Sequence, residues 1–169
     1  MWVRLLQLEN FRSYRNAEVP LARGLNILFG ENGEGKTSLV EVVEYLSAGR
    51  SLRTQQDKEL ISWGEEAALA HCFFCHEVET EKRIDLLIER GGRRTVKLDG
   101  VEKSQLAQWI GRLKTIAFGP NDVRLVSGDP ALRRKFLNVE ISKLRPGYLL
   151  DYSYYKRCVL QRNNLFKEA

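Results

Sequence analysis

Eight residues constrain this chain more than any other feature. Gly30-Glu31-Asn32-Gly33-Glu34-Gly35-Lys36-Thr37 fits the phosphate-loop pattern G-x-x-x-x-G-K-[ST]. The glycines let backbone N–H groups curl into a concave nest that Cβ atoms would obstruct. A helix starting behind the loop adds its own N-terminal N–H groups and the positive end of its dipole. In such a loop the lysine, here Lys36, reaches the β- and γ-phosphates, and the Thr37 hydroxyl completes a magnesium coordination sphere. The flanks agree. Leu25-Asn26-Ile27-Leu28-Phe29 is an apolar run that predicts a buried strand. Lys36 to Ser47 carries Leu39, Val40, Val43 and Leu46 at helical spacing, stopped by Ala48-Gly49. The bland alternative is a glycine-rich turn that happens to end in Lys-Thr. Glu31 and Glu34 put negative charge beside a phosphate site, which is tolerable only if both side chains point to solvent.

The remaining segments set the fold class. Trp2 to Glu9 reads as a half-buried strand and 17–21 as a short edge strand stopped by Pro20. Residues 67–76, 82–89 and 94–98 read as three extended segments, the last two joined by the hairpin signal Arg90-Gly91-Gly92-Arg93, with Asp99-Gly100 as a second turn. Ser104 is the expected N-cap of a short helix holding Leu106, Trp109 and Ile110. Leu113 to Phe118 predicts another buried strand. After Asp129-Pro130 the pattern is helical, with Leu132, Phe136, Leu137 and Ile141 as one apolar stripe, and Pro146 starts a last helix. The class is α/β: an antiparallel meander around a phosphate-loop strand–helix core over 1–120, then the start of a helical lobe over 121–169.

Charge is unevenly spread. Residues 1–102 carry 14 Lys and Arg against 17 Asp and Glu, whereas 103–169 carry 13 against 5, a local net of +8. Such an excess is either a solubilising surface or a face for a polyanion. Arg133, Arg134 and Lys135 on the first C-terminal helix, with Arg50 and Arg53 after the loop helix, are the candidates for contact with backbone phosphates. No run approaches 18 apolar residues, so no transmembrane helix is expected. The N-terminus lacks a secretory signal, and three cysteines suit a reducing cytoplasm. His71-Cys72-Phe73-Phe74-Cys75-His76 invites a metal reading. The segment reads as a strand, however, where residues three apart face opposite sides, and no second pair completes four ligands. Downstream of the loop, Ile84-Asp85, Leu98-Asp99 and Phe118-Gly119 all fail to supply the apolar strand ending in an acid that hydrolysis needs.

Several strings occur in an order that a phosphate loop alone would not bring. Phe11-Arg12-Ser13-Tyr14, the loop itself, Gly49-Arg50-Ser51-Leu52-Arg53-Thr54, Phe118-Gly119-Pro120-Asn121-Asp122, Arg133-Arg134-Lys135-Phe136-Leu137 and Gln161-Arg162-Asn163 resemble the RecF family of bacterial recombination-mediator ATPases. Asn121 departs from the acid usual after that proline. The resemblance implies the head type of ATP-binding-cassette ATPases, and it places this chain at the N-terminal part of considerably longer proteins. In those, the signature motif, the acidic magnesium strand with its catalytic glutamate, and a switch histidine lie further on. It implies ATP and magnesium as cofactors, with Gly30 to Thr37 and Arg12 at the nucleotide. It also implies an ATP-gated dimer that binds single-stranded or gapped DNA and works with RecR and RecO to load recombinase, in support of the SOS response. For this chain the expectation is weak ATP binding, negligible hydrolysis, and apolar surface left exposed at Ile27 and Leu28. A small-molecule phosphotransferase and the nucleotide-binding subunit of a transporter are the competing readings.

Overall fold

Six strands form one antiparallel sheet in the order β2-β1-β3-β4-β5-β6: β1 Trp2–Phe11, β2 Tyr14–Pro20, β3 Ala67–Cys75, β4 Glu81–Glu89, β5 Arg94–Leu98 and β6 Val101–Lys103. The structure is a computed structural model and describes residues 1–51, 53–76 and 80–168. Strict alternation drives the sheet. In β3, Ala68, Ala70, Cys72 and Phe74 are buried while their neighbours are half-buried, and in β4 Ile84, Leu86 and Ile88 do the same. One face is therefore apolar and the other polar, as expected of an antiparallel sheet with one solvated side. Cys72 lies on the buried face and Cys75 on the other. Burial pushes the Cys72 thiol up to about 12. On the polar face His71 Nδ1 sits 2.6 Å from Asp85, which also pairs with Arg83.

Helix α1 (Lys36–Ala48) packs on the apolar face through Leu39, Val42, Tyr45 and Leu46. Its close approach is allowed by the small side chains Ala68, Ala70 and Cys72 of β3. Gly49 ends α1 in a left-handed conformation, donating its N–H to the Tyr45 carbonyl at 2.7 Å. Arg94 then caps the same end: Nη1 donates to the Gly49 carbonyl at 2.9 Å and to the Tyr45 hydroxyl at 3.0 Å. The C-terminal part holds α2 (Arg124–Ser127), α3 (Pro130–Leu144) and α4 (Tyr148–Glu168). The chain contains no described helix long and apolar enough to cross a membrane.

Four expectations are corrected. Residues 25–29 and 113–118 are not strands. Leu25 is 84% and Phe29 90% exposed, Ile116 91% and Phe118 86%, with only Leu113 buried. Among the described residues, neither segment is paired with a strand of the sheet. Leu28 and Ile116 instead help to line an apolar groove of about 320 Å³ with Leu6, Val19, Leu39 and Val43. Ile27, at 73%, is exposed as expected. Gln105, not Ser104, is the N-cap of the short 3-10 helix Leu106–Gln108, through a reciprocal capping box with Gln108. The stripe Leu132, Phe136, Leu137 and Ile141 is not the buried side of α3; Val139, Ser142 and Lys143 are. That face turns toward α1, where a different chemistry holds it.

One acid on α1 carries that chemistry. Glu44 and Lys143 form an ion pair at 2.5 Å, with side chains 5% and 3% exposed. Glu140 lies 3.0 Å from the same ammonium, and the Thr115 hydroxyl donates to Glu44. Glu41, one turn earlier, faces the loop.

Candidate functional site

The loop from Gly30 to Lys36 is built by backbone geometry first. Gly33 and Gly35 both take φ of 96°, in the left-handed region. A Cβ on Gly35 would lie 2.6 Å from Ser13 Oγ and 2.8 Å from the Tyr14 ring, so glycine is required there on two counts. Gly33 has open space around it, on the side where a ligand can approach. Gly35 is also the N-cap of α1, its carbonyl accepting from Ser38 N at 2.8 Å. Lys36 folds back across the loop, its ammonium donating to the carbonyls of Gly30 at 2.8 Å and Glu31 at 2.5 Å. Its charge is thereby fixed at the loop instead of ranging through solvent.

An open cleft of about 420 Å³ lies against this loop, lined by Asn32, Gly33, Gly35, Lys36 and Thr37 together with Arg12, Arg53 and Glu59. Sequence positions far apart are thus brought to one place, and three of them are cations. Arg12 follows β1 with φ of 56°, a left-handed conformation unusual for a residue with a side chain. Its N–H donates to Leu60 O at 2.7 Å and its carbonyl accepts from the Ser62 hydroxyl at 2.7 Å, which holds the conformation in place. The guanidinium grips Glu41 in a fork, Nε to Oε2 at 3.0 Å and Nη2 to Oε1 at 2.8 Å, while Nη1 donates to Glu59 O at 2.7 Å.

Glu41 is the centre of a small network that the sequence reading did not single out. Its side chain is 2% exposed and also receives the Ser51 hydroxyl at 2.5 Å and Arg53 Nη1 at 3.4 Å. Burial pushes its carboxyl upward. Hydrogen bonds from Arg12 and Ser51 and the two guanidinium charges outweigh that, and the carboxyl is held below the ordinary glutamate range. Ser51 in turn accepts the N–H groups of Arg53 and Thr54, setting the course of the segment after α1.

The other candidate residues divide. Arg53 joins the loop cleft rather than the C-terminal helices. Arg50 is half-buried and lies 3.5 Å from the Lys135 carbonyl, and burial lowers the pKa of its guanidinium. Arg133 caps the turn around α2, donating to the carbonyls of Leu125, Val126 and Gly128. Arg134 and Lys135 are exposed on α3. Glu31 and Glu34 are both exposed, but Glu34 does not simply point away: its carboxylate turns back to accept the Glu31 N–H at 2.8 Å and passes over Gly30. The side chain of Asn121 and the position of Leu52 lie outside the described residues.

With this geometry in view, the likeness to known proteins is specific. The chain is 36% identical over 169 residues to the DNA replication and repair protein RecF of Streptococcus suis, covering 100% of this chain and 46% of that one. It is 37% identical over 173 residues to RecF of Bacillus subtilis, covering 99% and 45%. The chain spans about half the length of the curated relatives it matches. In structure it superposes on the recombination mediator protein RecF, solved as RecF-ATPrS, with a TM-score of 0.92 at 28% identity, over 99% of this chain and 45% of that one. A head of the SMC ATPases matches at TM-score 0.62 and 19% identity, covering 85% of this chain, which speaks to fold alone. The fold is an α/β phosphate-loop NTPase of the kind shared by RecF and SMC heads. A family model described as AAA domain matches residues 5–142, and the chain belongs to that family, within which it is similar to the RecF proteins.

Proposed function

We propose that this chain binds ATP with magnesium at the Gly30–Thr37 loop and serves in DNA replication and repair. The observation that carries the reading is the convergence of Lys36, Arg12 and Arg53 on one open cleft beside a glycine-built loop. A triphosphate carries about four negative charges. Three cations beside the N-terminus of α1 form a complement of the kind such a ligand needs. Gly33 has open space beside it, and the Glu34 carboxylate, which here accepts the Glu31 N–H, has to swing out for a phosphate to take that donor. Thr37 lines the same cleft and is the residue whose hydroxyl would meet the metal. Bound ATP would supply the phosphate charge that these cations neutralise. The chain's own residues bind and orient it.

The DNA role rests on the likeness to the RecF proteins and on the basic C-terminal half. Residues 1–120 form the nucleotide lobe and 121–169 the beginning of a helical lobe. Arg134 and Lys135, exposed on α3, are the first DNA contacts to test. Arg133 caps a turn and Arg50 is half-buried beside α3, so both act less directly. As part of a longer chain, the reading extends to two such heads that would close on ATP, clasp single-stranded or gapped DNA in the cytoplasm, and cooperate with RecR and RecO in the SOS response.

The test is calorimetric titration of the 169-residue chain with ATP and magnesium, compared with Lys36→Ala. Saturable heat that disappears in the variant supports the reading. Equal binding by both proteins, or none by either, sinks it. DNA binding is tested by its salt dependence: each phosphate contact adds about 0.9 to the slope of log affinity against log salt. Arg134→Ala should reduce that slope.

A further inference from the structure

Beyond the loop itself, we propose that Glu41 is a positioning residue for the nucleotide's phosphates: from a buried place in α1 it holds Arg12 and Arg53 together on one carboxylate at the edge of the loop cleft. The proposal rests on the nucleotide reading above and adds a residue to it. Glu41 does not line the cleft, but both arginines that it grips do.

The geometry gives the reason. Two guanidiniums facing one cleft repel each other, and each is pulled toward water, where its charge is better solvated. A carboxylate that is 2% exposed has no solvent of its own, so its pull on both arginines is little screened. The arrangement also leaves donors to spare. A guanidinium carries five N–H groups. Arg12 uses Nε, Nη1 and Nη2 once each within the described residues, which leaves two N–H for a ligand. Arg53 uses one side-chain N–H, to Glu41. Glu41 thus fixes the guanidiniums without exhausting them. Ser51, donating to the same carboxylate at 2.5 Å, takes up part of its remaining accepting capacity. Helix α1 therefore supplies two things to the cleft from one rigid element. Its N-terminus carries the loop, and its second turn carries the acid that places the arginines.

The experiment is a cycle read by ATP titration of the full chain in magnesium. Glu41→Gln keeps the shape of the side chain and removes its charge, and it should weaken ATP binding about tenfold, the scale of one charge-assisted hydrogen bond. Arg12→Ala combined with Arg53→Ala should weaken it at least as much. Adding Glu41→Gln to that pair should then change affinity by less than about twofold, because the acid acts through the arginines. A purely structural role for Glu41 predicts the full loss again in the background lacking both arginines, and that result would overturn the proposal. So would wild-type affinity in Glu41→Gln. Lys36→Ala separates the two readings: if it loses ATP while Glu41→Gln does not, the positioning role alone falls; if it binds as the unmodified chain does, the nucleotide reading falls and takes this one with it. Should Glu41→Gln not fold, the exposed Arg53→Ala is read by itself. A several-fold loss of affinity supports the proposal, and unchanged affinity refutes it.

Discussion

Removing Lys143 is the sharpest test of how the C-terminal helices are held to the sheet core. Its ammonium is 3% exposed and lies 2.5 Å from Glu44, 3.0 Å from Glu140 and 3.4 Å from the Thr115 carbonyl. Lys143→Ala leaves Glu44, 5% exposed, with the Thr115 hydroxyl as its one remaining partner among the described residues. Breaking a buried pair from one side costs about 3–5 kcal/mol, because the orphaned charge stays desolvated. For a chain of this length each kcal/mol moves the midpoint by roughly 2–4 °C, so a loss of about 6–20 °C is expected. Replacing both partners by apolar residues of similar volume avoids the orphan. The double variant Glu44→Leu with Lys143→Met should therefore recover most of the loss. An exposed pair sets the scale: Arg93 with Glu89, 3.7 Å apart and largely in solvent, is worth about 0.5 kcal/mol. Thermal and urea unfolding can be followed by tryptophan fluorescence, since Trp109 is buried and lies under the Arg94 guanidinium. A Lys143→Ala variant within about 1 kcal/mol of the unmodified chain would refute the reasoning. So would a double variant less stable than the single one.

Two further outcomes follow from the same contacts. Gly111 has φ of 70°, and a Cβ there would lie 1.9 Å from the Lys143 carbonyl oxygen, a backbone atom that cannot step aside. Gly111→Ala should destabilise by more than about 2 kcal/mol in urea unfolding, combining left-handed strain with a displaced α3. The depressed pKa of Glu41 gives the second. A carboxyl whose folded pKa lies below its unfolded value stabilises the fold above the ordinary glutamate value of about 4.3, and that contribution is lost as pH falls through the folded pKa. The stability advantage of the unmodified chain over Glu41→Gln should be full at neutral pH and shrink in acid. An advantage that grows below pH about 4 would contradict the assigned direction.

Much of this fold is legible in the sequence because alternation is local. Ala68, Ala70, Cys72 and Phe74 occupy every second place in their segment, and a strand buried on one face has no other way to place them. Helix α1 is legible for the same reason, with its stop at Gly49. Residues 25–29 and 113–118 fail as strands although their composition is right, because a strand is defined by its neighbour as much as by its own residues. Extended apolar chain with no ladder beside it remains a coil with exposed side chains. The α3 stripe fails in the same way: periodicity identifies a face able to pack but not whether anything packs there.

The loop at the candidate site is legible from spacing, and Arg12 from resemblance; the acid that joins Arg12 to Arg53 is marked less plainly. A signal for it exists in the sequence. Between Ser38 and Ala48 the helix reads Leu39, Val40, Val42, Val43, Tyr45 and Leu46 around just two charged residues, Glu41 and Glu44, three apart on one side. A helix that is apolar nearly all round has little face to give to water. Acids on it are therefore either exposed at the margin or buried and paired from elsewhere. Both are buried, and their partners come from outside the helix: Arg12 and Arg53 for Glu41, and Lys143 of α3 for Glu44 one turn later. The element that presents the glycine loop is thus tied by one acid to the cations of the cleft and by the next to the helices behind it. Movement of the arginines at the cleft and movement of α3 therefore both bear on the same 13-residue helix.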